Sequence, residues 1–464
     1  MSNAWILAAL LAGVRGDSIS TPKDRTALAV TVYSSGRALV REEREADLPQ
    51  GQTALRFEGV AQKIEAPTVR VNVLEGGPLS VLEQNYEYDL LSPQKLLEKF
   101  VGQTVTLVRQ RTKDNSTVEE ETPGTLLATN QGTVWEIGGR IVTNPPYDRL
   151  IFPSLPGTLI ARPTLVWLLD AKTAGRRKLE AAYLTQGLSW RADYVLALDA
   201  PEEKASLEGW VTLDNESGAA YENAKLKLVA GDVHLVPQAP QAEFKVARVM
   251  AAQAAPMEQE NLFEYHLYTV SRPTTVKENE TKQVQLLNSP SFPIAKEYVL
   301  RTGNFFTYVW PGRKNPAKVA VRLKFRNAEA QGLGVPLPAG IVRVYKQDRG
   351  GSPQFVGEDR IDHTPKDEEV KLELGNAFDI AADTVQTDYK SLGKQLSEGG
   401  YEVRLRNHKD VPVTVRVIET LGGDWTILEH SHPFQKISAT EAEFDLTVEP
   451  DKEVVLTFRV RTSA

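Results

Sequence analysis

Apolar residues that recur at every second position constrain this chain more than any other feature. Val319, Val321, Leu323 and Phe325 alternate with Ala320, Arg322, Lys324 and Arg326. Tyr401, Val403 and Leu405 alternate with Glu402, Arg404 and Arg406. Val411, Val413, Val415 and Val417 make a third such face, followed by Phe444, Leu446 and Val448 and by Val454, Leu456, Phe458 and Val460. Val69, Val71 and Val73 do the same earlier, as do Leu226, Leu228 and Ala230. Successive side chains of a strand point to opposite faces, so this is the period of half-buried strands. The polar partners leave one sheet face wet, which favours antiparallel sheets.

Helical signals are few. Ser92 is placed to cap a helix over 93–101, with Pro93 at its first position and Leu96, Leu97 and Phe100 on its apolar face. Gly102 would stop it. A second short helix is expected over 381–396. Repeated βαβ spacing, a dinucleotide fingerprint and a phosphate loop are all missing. The expected class is therefore mostly β: several antiparallel sandwich or barrel modules, immunoglobulin-like in kind, with one or two short helices.

Composition narrows the chemistry. The 464 residues exceed a single ordinary domain. The net charge of -7 lacks the basic footprint of a nucleic-acid binder. With Cys at 0, disulfides, thiolate metal sites and a cysteine nucleophile are excluded. Changes in composition suggest segments at 24–90, 91–162, 163–235 and 261–464. An Ala/Pro/Gln-rich linker or loop would span 236–260, and 1–23 would be a signal segment or a disordered N-terminus. The apolar run Trp5 to Leu11 has the length of a signal-peptide core, although no Lys or Arg precedes it. No run reaches the ~20 apolar residues of a membrane helix.

Three stretches echo one another. Trp210-Val-Thr-Leu-Asp-Asn215, Val321-Arg-Leu-Lys-Phe-Arg-Asn327 and Val403-Arg-Leu-Arg-Asn407 each read as a strand ending in Asn. If they mark repeated modules, the three strands must occupy equivalent sheet positions. Chance recurrence of strand chemistry is the alternative.

A family resemblance rests on residues spread through the chain. The stretches are Gly187-Leu-Ser-Trp190-Arg-Ala-Asp-Tyr194, Leu207 to Asn215, Tyr221 to Leu228, Phe263-Glu-Tyr265-His-Leu-Tyr268, Thr281 to Leu286 and Glu419-Thr-Leu-Gly-Gly-Asp-Trp425. In this order, over about 163–460, they resemble the bacterial family known as domain of unknown function 4139. Val30 to Gly36 and Val134 to Gly138 resemble the region that precedes that domain in longer members. The resemblance implies a β-rich, often exported bacterial protein and transfers no catalytic residue. Trp190 and Tyr194 share one strand face and are expected to anchor a core.

Candidate site residues are few. His430 and His432, in Glu429-His-Ser-His-Pro433, could place two imidazoles on one face for a metal, with His408 or Glu429 as a third ligand. An exposed turn before Pro433 is the competing reading. Phe306, Tyr308 and Trp310 share one face of Asn304-Phe-Phe-Thr-Tyr-Val-Trp310, either as an exposed interaction patch or as a strand buried between layers. No nucleophile elbow, no Ser-x-x-Lys in a convincing setting and no calcium loop occurs, so no catalytic residue and no cofactor is expected. The leading expectation is a non-enzymatic, exported protein of the bacterial cell envelope, periplasmic, secreted or surface-held. Its partner would be a protein or a glycan, not a nucleic acid, and it would have no transmembrane span. An envelope hydrolase or metal-dependent enzyme is the second reading, and a subunit of a homo-oligomeric extracellular assembly the third.

Overall fold

The computed structural model describes residues 17–113, 116–231, 258–262, 265–302, 312–393 and 396–463. Strand makes up 67% of it and helix 4%, so the protein is a mostly-β, multidomain one. The expected first helix forms over Pro93–Lys99, and the Ser92 hydroxyl accepts the Lys95 N–H at 3.1 Å. The second expected helix does not form. Residues 381–391 belong to the long strand Glu369–Ser391, paired with Lys314–Arg326 on one side and Leu396–Asn407 on the other. Ile380, Ala382, Thr384 and Gln386 alternate inward and are buried, so two-sided pairing overrides the helix preference of Ala381 and Ala382. Residues near the N-terminus are also more ordered than composition suggests. Ser18–Ser20 pairs in parallel with Gly51–Glu58, and Thr21 and Asp24 form a capping box.

The chain divides into two compact units, each assembled from separate stretches. The first comprises Met1–Ser189, Asp214–Leu228 and Arg272–Thr281; the second comprises Trp190–Leu213, Val229–Ser271 and Lys282–Ala464. Strand pairing cuts across chain order. Thr164–Ala171, for example, lies between Gly51–Glu58 and Leu79–Glu87. Antiparallel pairs dominate. Parallel pairs join Leu188–Leu198 to Gly340–Gln347 and Ala295–Thr302 to Val413–Thr420, partners far apart in sequence.

The first unit encloses a buried cation. The strand Arg37–Leu48 turns Ala38, Val40, Glu42, Arg44, Ala46 and Leu48 inward. The Arg44 guanidinium lies 3.6 Å from the centre of the Phe57 ring, on a strand of the facing sheet. It donates to the carbonyls of Ser20 and Glu58, at 3.0 and 2.8 Å, and to Glu42. Arg25 holds the same carboxylate at 2.9 Å. Burial lowers the Arg44 pKa, and Glu42 opposes that shift. A smaller core in the same unit gathers Phe100, Val105, Leu107, Leu126 and Trp135 around the helix.

The Asn echo is structural. Asn215, Asn327 and Asn407 are all buried. Each carboxamide Nδ2 donates to two carbonyls, one in the loop just after the strand and one at a distant chain reversal or the strand end before it. The pairs are Ala219 and Lys277, Val335 and Pro365, and Val411 and Val448, all at 2.7–3.0 Å. Each Oδ1 accepts a backbone N–H, from Ser217, Gly334 and Lys409 respectively. The strand pairing repeats as well. The Asn-ending strands Lys204–Asn215, Lys314–Arg326 and Leu396–Asn407 pair with Glu280–Pro293, Glu369–Ser391 and Glu453–Ser463. The strands that follow each Asn, Tyr221–Ala230, Gly340–Gln347 and Val413–Thr420, pair with Thr274–Val276, Pro353–Ile361 and Glu441–Val448. The distant carbonyl lies in the turn that joins the latter strand set to the former, or, for Val448, on the strand residue just before that turn. The three Asn strands therefore occupy equivalent positions.

Four edge strands share another device. Leu74, Leu82, Val356 and Leu428 are each skipped by the ladder of their strand, and each is exposed. Each is the extra residue of a β-bulge on a strand at the end of its sheet. Bulges of this kind twist an edge and interrupt it locally, which shortens the stretch that could template another chain.

Candidate interaction groove

The second unit contains a nine-stranded sheet that begins with Asp424–His430 and ends with Gln435–Lys436. Its inward faces supply one core, with Val403, Leu405, Val415, Val417, Phe444 and Leu456 at its centre. The two end strands meet at Trp425. The indole N–H donates to the Ala439 carbonyl at 2.6 Å, and Lys436 Nζ lies 4.2 Å from the ring centre. The Leu421 N–H closes the same seam on the Thr440 carbonyl at 2.7 Å. Gly423, at φ 67°, supplies the left-handed residue that turns the chain into Trp425.

A recess of about 500 Å³ opens at this seam, lined by Asp424, Trp425, Thr426, Lys436, Thr440 and Arg461 among others. Arg461 is committed to Glu398, at 2.8 and 2.6 Å. Asp424 and Lys436 form no ion pair among the described residues, so an anion and a cation, the latter held over the Trp425 ring, flank the recess. Asp424–His430 pairs with Glu453–Ser463 on one side only. The bulge at Leu428 leaves 424–427 as its regular stretch. The Trp425 ring is covered by Lys436, so it does not offer an open face for stacking a sugar. A strand edge with opposite charges beside it suits an extended polypeptide.

Behind the seam sits a buried acid. The inward alternation of Val413, Val415 and Val417 continues to Glu419, whose side chain is fully buried. Glu419 pairs with Thr302 in the parallel ladder, and the Thr302 hydroxyl donates to Oε2. Oε1 meets no donor among the described residues. Burial pushes the Glu419 pKa up to about 8, and the Thr302 hydrogen bond opposes it. Glu419 stands at the head of the Glu419 to Trp425 stretch, yet the sequence reading passed over it. The period-two pattern from Val413 would have found it.

His430 ends the edge strand and His432 lies in the turn that follows it. His430 Nδ1 lies 2.9 Å from the His432 carbonyl, so that nitrogen must donate. The Ser431 hydroxyl accepts the Thr457 N–H and also lies 2.9 Å from His432 Nδ1. The lone pair of a neutral His430 then lies on Nε2. Its ring packs edge-on against Phe434 at 5.2 Å. No three His, Asp or Glu are grouped to hold a metal among the described residues. Phe306, Tyr308 and Trp310 lie outside the described residues, as do 1–16 and most of 236–260.

Trp190 and Tyr194 are core anchors, as expected. Both are buried, and they donate to the carbonyls of Val229 at 3.2 Å and Pro338 at 2.8 Å. On the other face of the same strand, Asp193 is also buried. It accepts from Thr212 at 2.8 Å and Arg343 at 3.0 Å. Gly340 pairs with Ala192 so closely that a Cβ would lie 2.4 Å from the Ala192 carbonyl oxygen. No helix of the described residues is long and apolar enough to cross a membrane. Neither a protein-family profile nor a curated protein matches this chain.

Proposed function

We propose that this chain is a non-enzymatic interaction protein of the bacterial cell envelope, and that it holds an extended segment of a partner protein in the groove at Trp425. The observation that carries this reading is the meeting of two sheet ends around a recess, with a one-sided strand and the charges of Asp424 and Lys436. Export is supported by the apolar run Trp5 to Leu11, and by a fold that needs no oxidative pairing because Cys is 0. An immunoglobulin-like origin for the modules is supported by the threefold recurrence of a buried Asn and its strand pairing. Kinship with domain of unknown function 4139 rests on the ordered stretches from Gly187 to Trp425.

The test is made in cells. A photo-crosslinking residue in place of Thr426 is expected to trap a discrete protein in the envelope fraction, and Lys436→Glu with Asp424→Lys is expected to abolish the adduct. Recovery of the native chain only from the cytosol, or adducts indifferent to the charge reversal, would overturn the reading.

A further inference from the structure

Glu419 is an unusual occupant of its position. Its neighbours on the inward face are Val415 and Val417, and the residue opposite it on Glu441–Val448 is Ala442, also buried. The groups that face it are the Thr302 hydroxyl and, from Leu396–Asn407, the Tyr401 phenol, on which its charge acts. Gln386, from Glu369–Ser391, donates to that phenol at 3.4 Å, and Asp388 and Tyr389 also act on it. The ion pair of Arg301 with Glu441 belongs to alternate positions of the two strands that flank Glu419, on the opposite face. No cation faces the carboxyl among the described residues.

An ionised carboxylate in this setting would have one hydrogen bond and no counter-charge. Burying a charge on those terms is strongly unfavourable, so ionisation must bring water to the group. The accessible route is local: Thr302 ends its strand, Glu419 is one residue from the end of its own, and Leu421 to Gly423 follow directly. The Leu421 contact with Thr440 and the Trp425 contact with Ala439 lie just beyond.

We infer that Glu419, with Thr302 and Tyr401, is a buried proton-operated latch: the strand ends and the seam at Trp425 stay closed while the acid keeps its proton, and loosen when it is lost. The inference does not depend on a partner, because its readout is intrinsic to the chain.

The experiment is a pH titration of the full chain from about pH 6 to about pH 9.5, followed by the fluorescence of Trp425, taken as the difference between wild type and Trp425→Phe. Wild type is expected to show one reversible transition in the mildly alkaline range. Glu419→Gln, which keeps the shape and cannot ionise, is expected to show none. Thr302→Val removes the donor that favours the carboxylate, so its transition should move to higher pH. Should Glu419→Gln fail to fold, infrared spectra of wild type and Thr302→Val decide the matter: a protonated carboxylic acid band present at neutral pH and lost through the same transition supports the latch. A flat wild-type titration, an unchanged transition in Glu419→Gln, no upward move in Thr302→Val, or no acid band at neutral pH would overturn it.

Discussion

The Asn407 side-chain amide donates to the Val448 carbonyl at 3.0 Å and ties the end of one strand to the end of another 41 residues later. Replacing it by Ala removes three hydrogen bonds and strands buried backbone groups. The expected loss is roughly 2–4 kcal/mol in urea unfolding, since each unsatisfied buried group costs about 1–3 kcal/mol. Asn407→Asp keeps the acceptor and loses both donors, so it should be as damaging as Ala. An Asp variant as stable as wild type would show that the clip contributes nothing.

Arg44 and Glu42 form a buried pair between facing sheets. Arg44→Met leaves Glu42 to Arg25 alone and the carbonyls of Ser20 and Glu58 without their donor. Breaking such a pair costs roughly 3–5 kcal/mol, whereas removing both charges is much milder. Thermal melting should therefore rank wild type first, Arg44→Met/Glu42→Met second and Arg44→Met last. A single variant within about 0.5 kcal/mol of wild type would contradict this account.

Asp388 titrates on the acid side. Its hydrogen bond to Arg459 holds the carboxyl below the ordinary value of 3.8, against a partial desolvation. A carboxyl lowered by folding adds stability above its unfolded pKa, and that stability is lost as pH falls through the folded value. The gap in melting temperature between wild type and Asp388→Asn should be constant near neutral pH and close in acid, below the ordinary carboxylate range. A gap that survives full protonation would assign the effect to packing instead.

Leu82 and Leu428 are exposed because the ladder skips them. Substituting either by Lys should change stability by no more than about 0.5 kcal/mol. Deleting either residue restores an unbroken edge, and light scattering should then report self-association. A deletion variant that stays monomeric over the concentrations reached by wild type would remove the protective role of the bulge.

Much of the architecture was legible because period-two patterning reports which side of a sheet a residue faces. The strands around Val321, Val403 and Val415 appear where the alternation places them. The Asn strand ends could be seen as a pattern, but their clips depend on turns tens of residues away. Other features were hidden for physical reasons. Arg44 and Glu42 lie among Arg41, Glu43 and Glu45, and only the facing sheet distinguishes inward charges from outward ones. Residues 381–396 carry no local signal of the two strands that flank them. The groove exists because the ends of one sheet converge on Trp425, a closure that no short stretch encodes.

The three Asn clips also bear on the environments this fold can tolerate. They close loops of 62, 38 and 41 residues in a chain with Cys at 0. A cross-link of such span usually comes from a disulfide, which forms only where an oxidant is supplied and opens where thiols abound. A carboxamide clip has no redox state. The modules need no oxidoreductase to mature, and reducing agents have nothing in them to cleave.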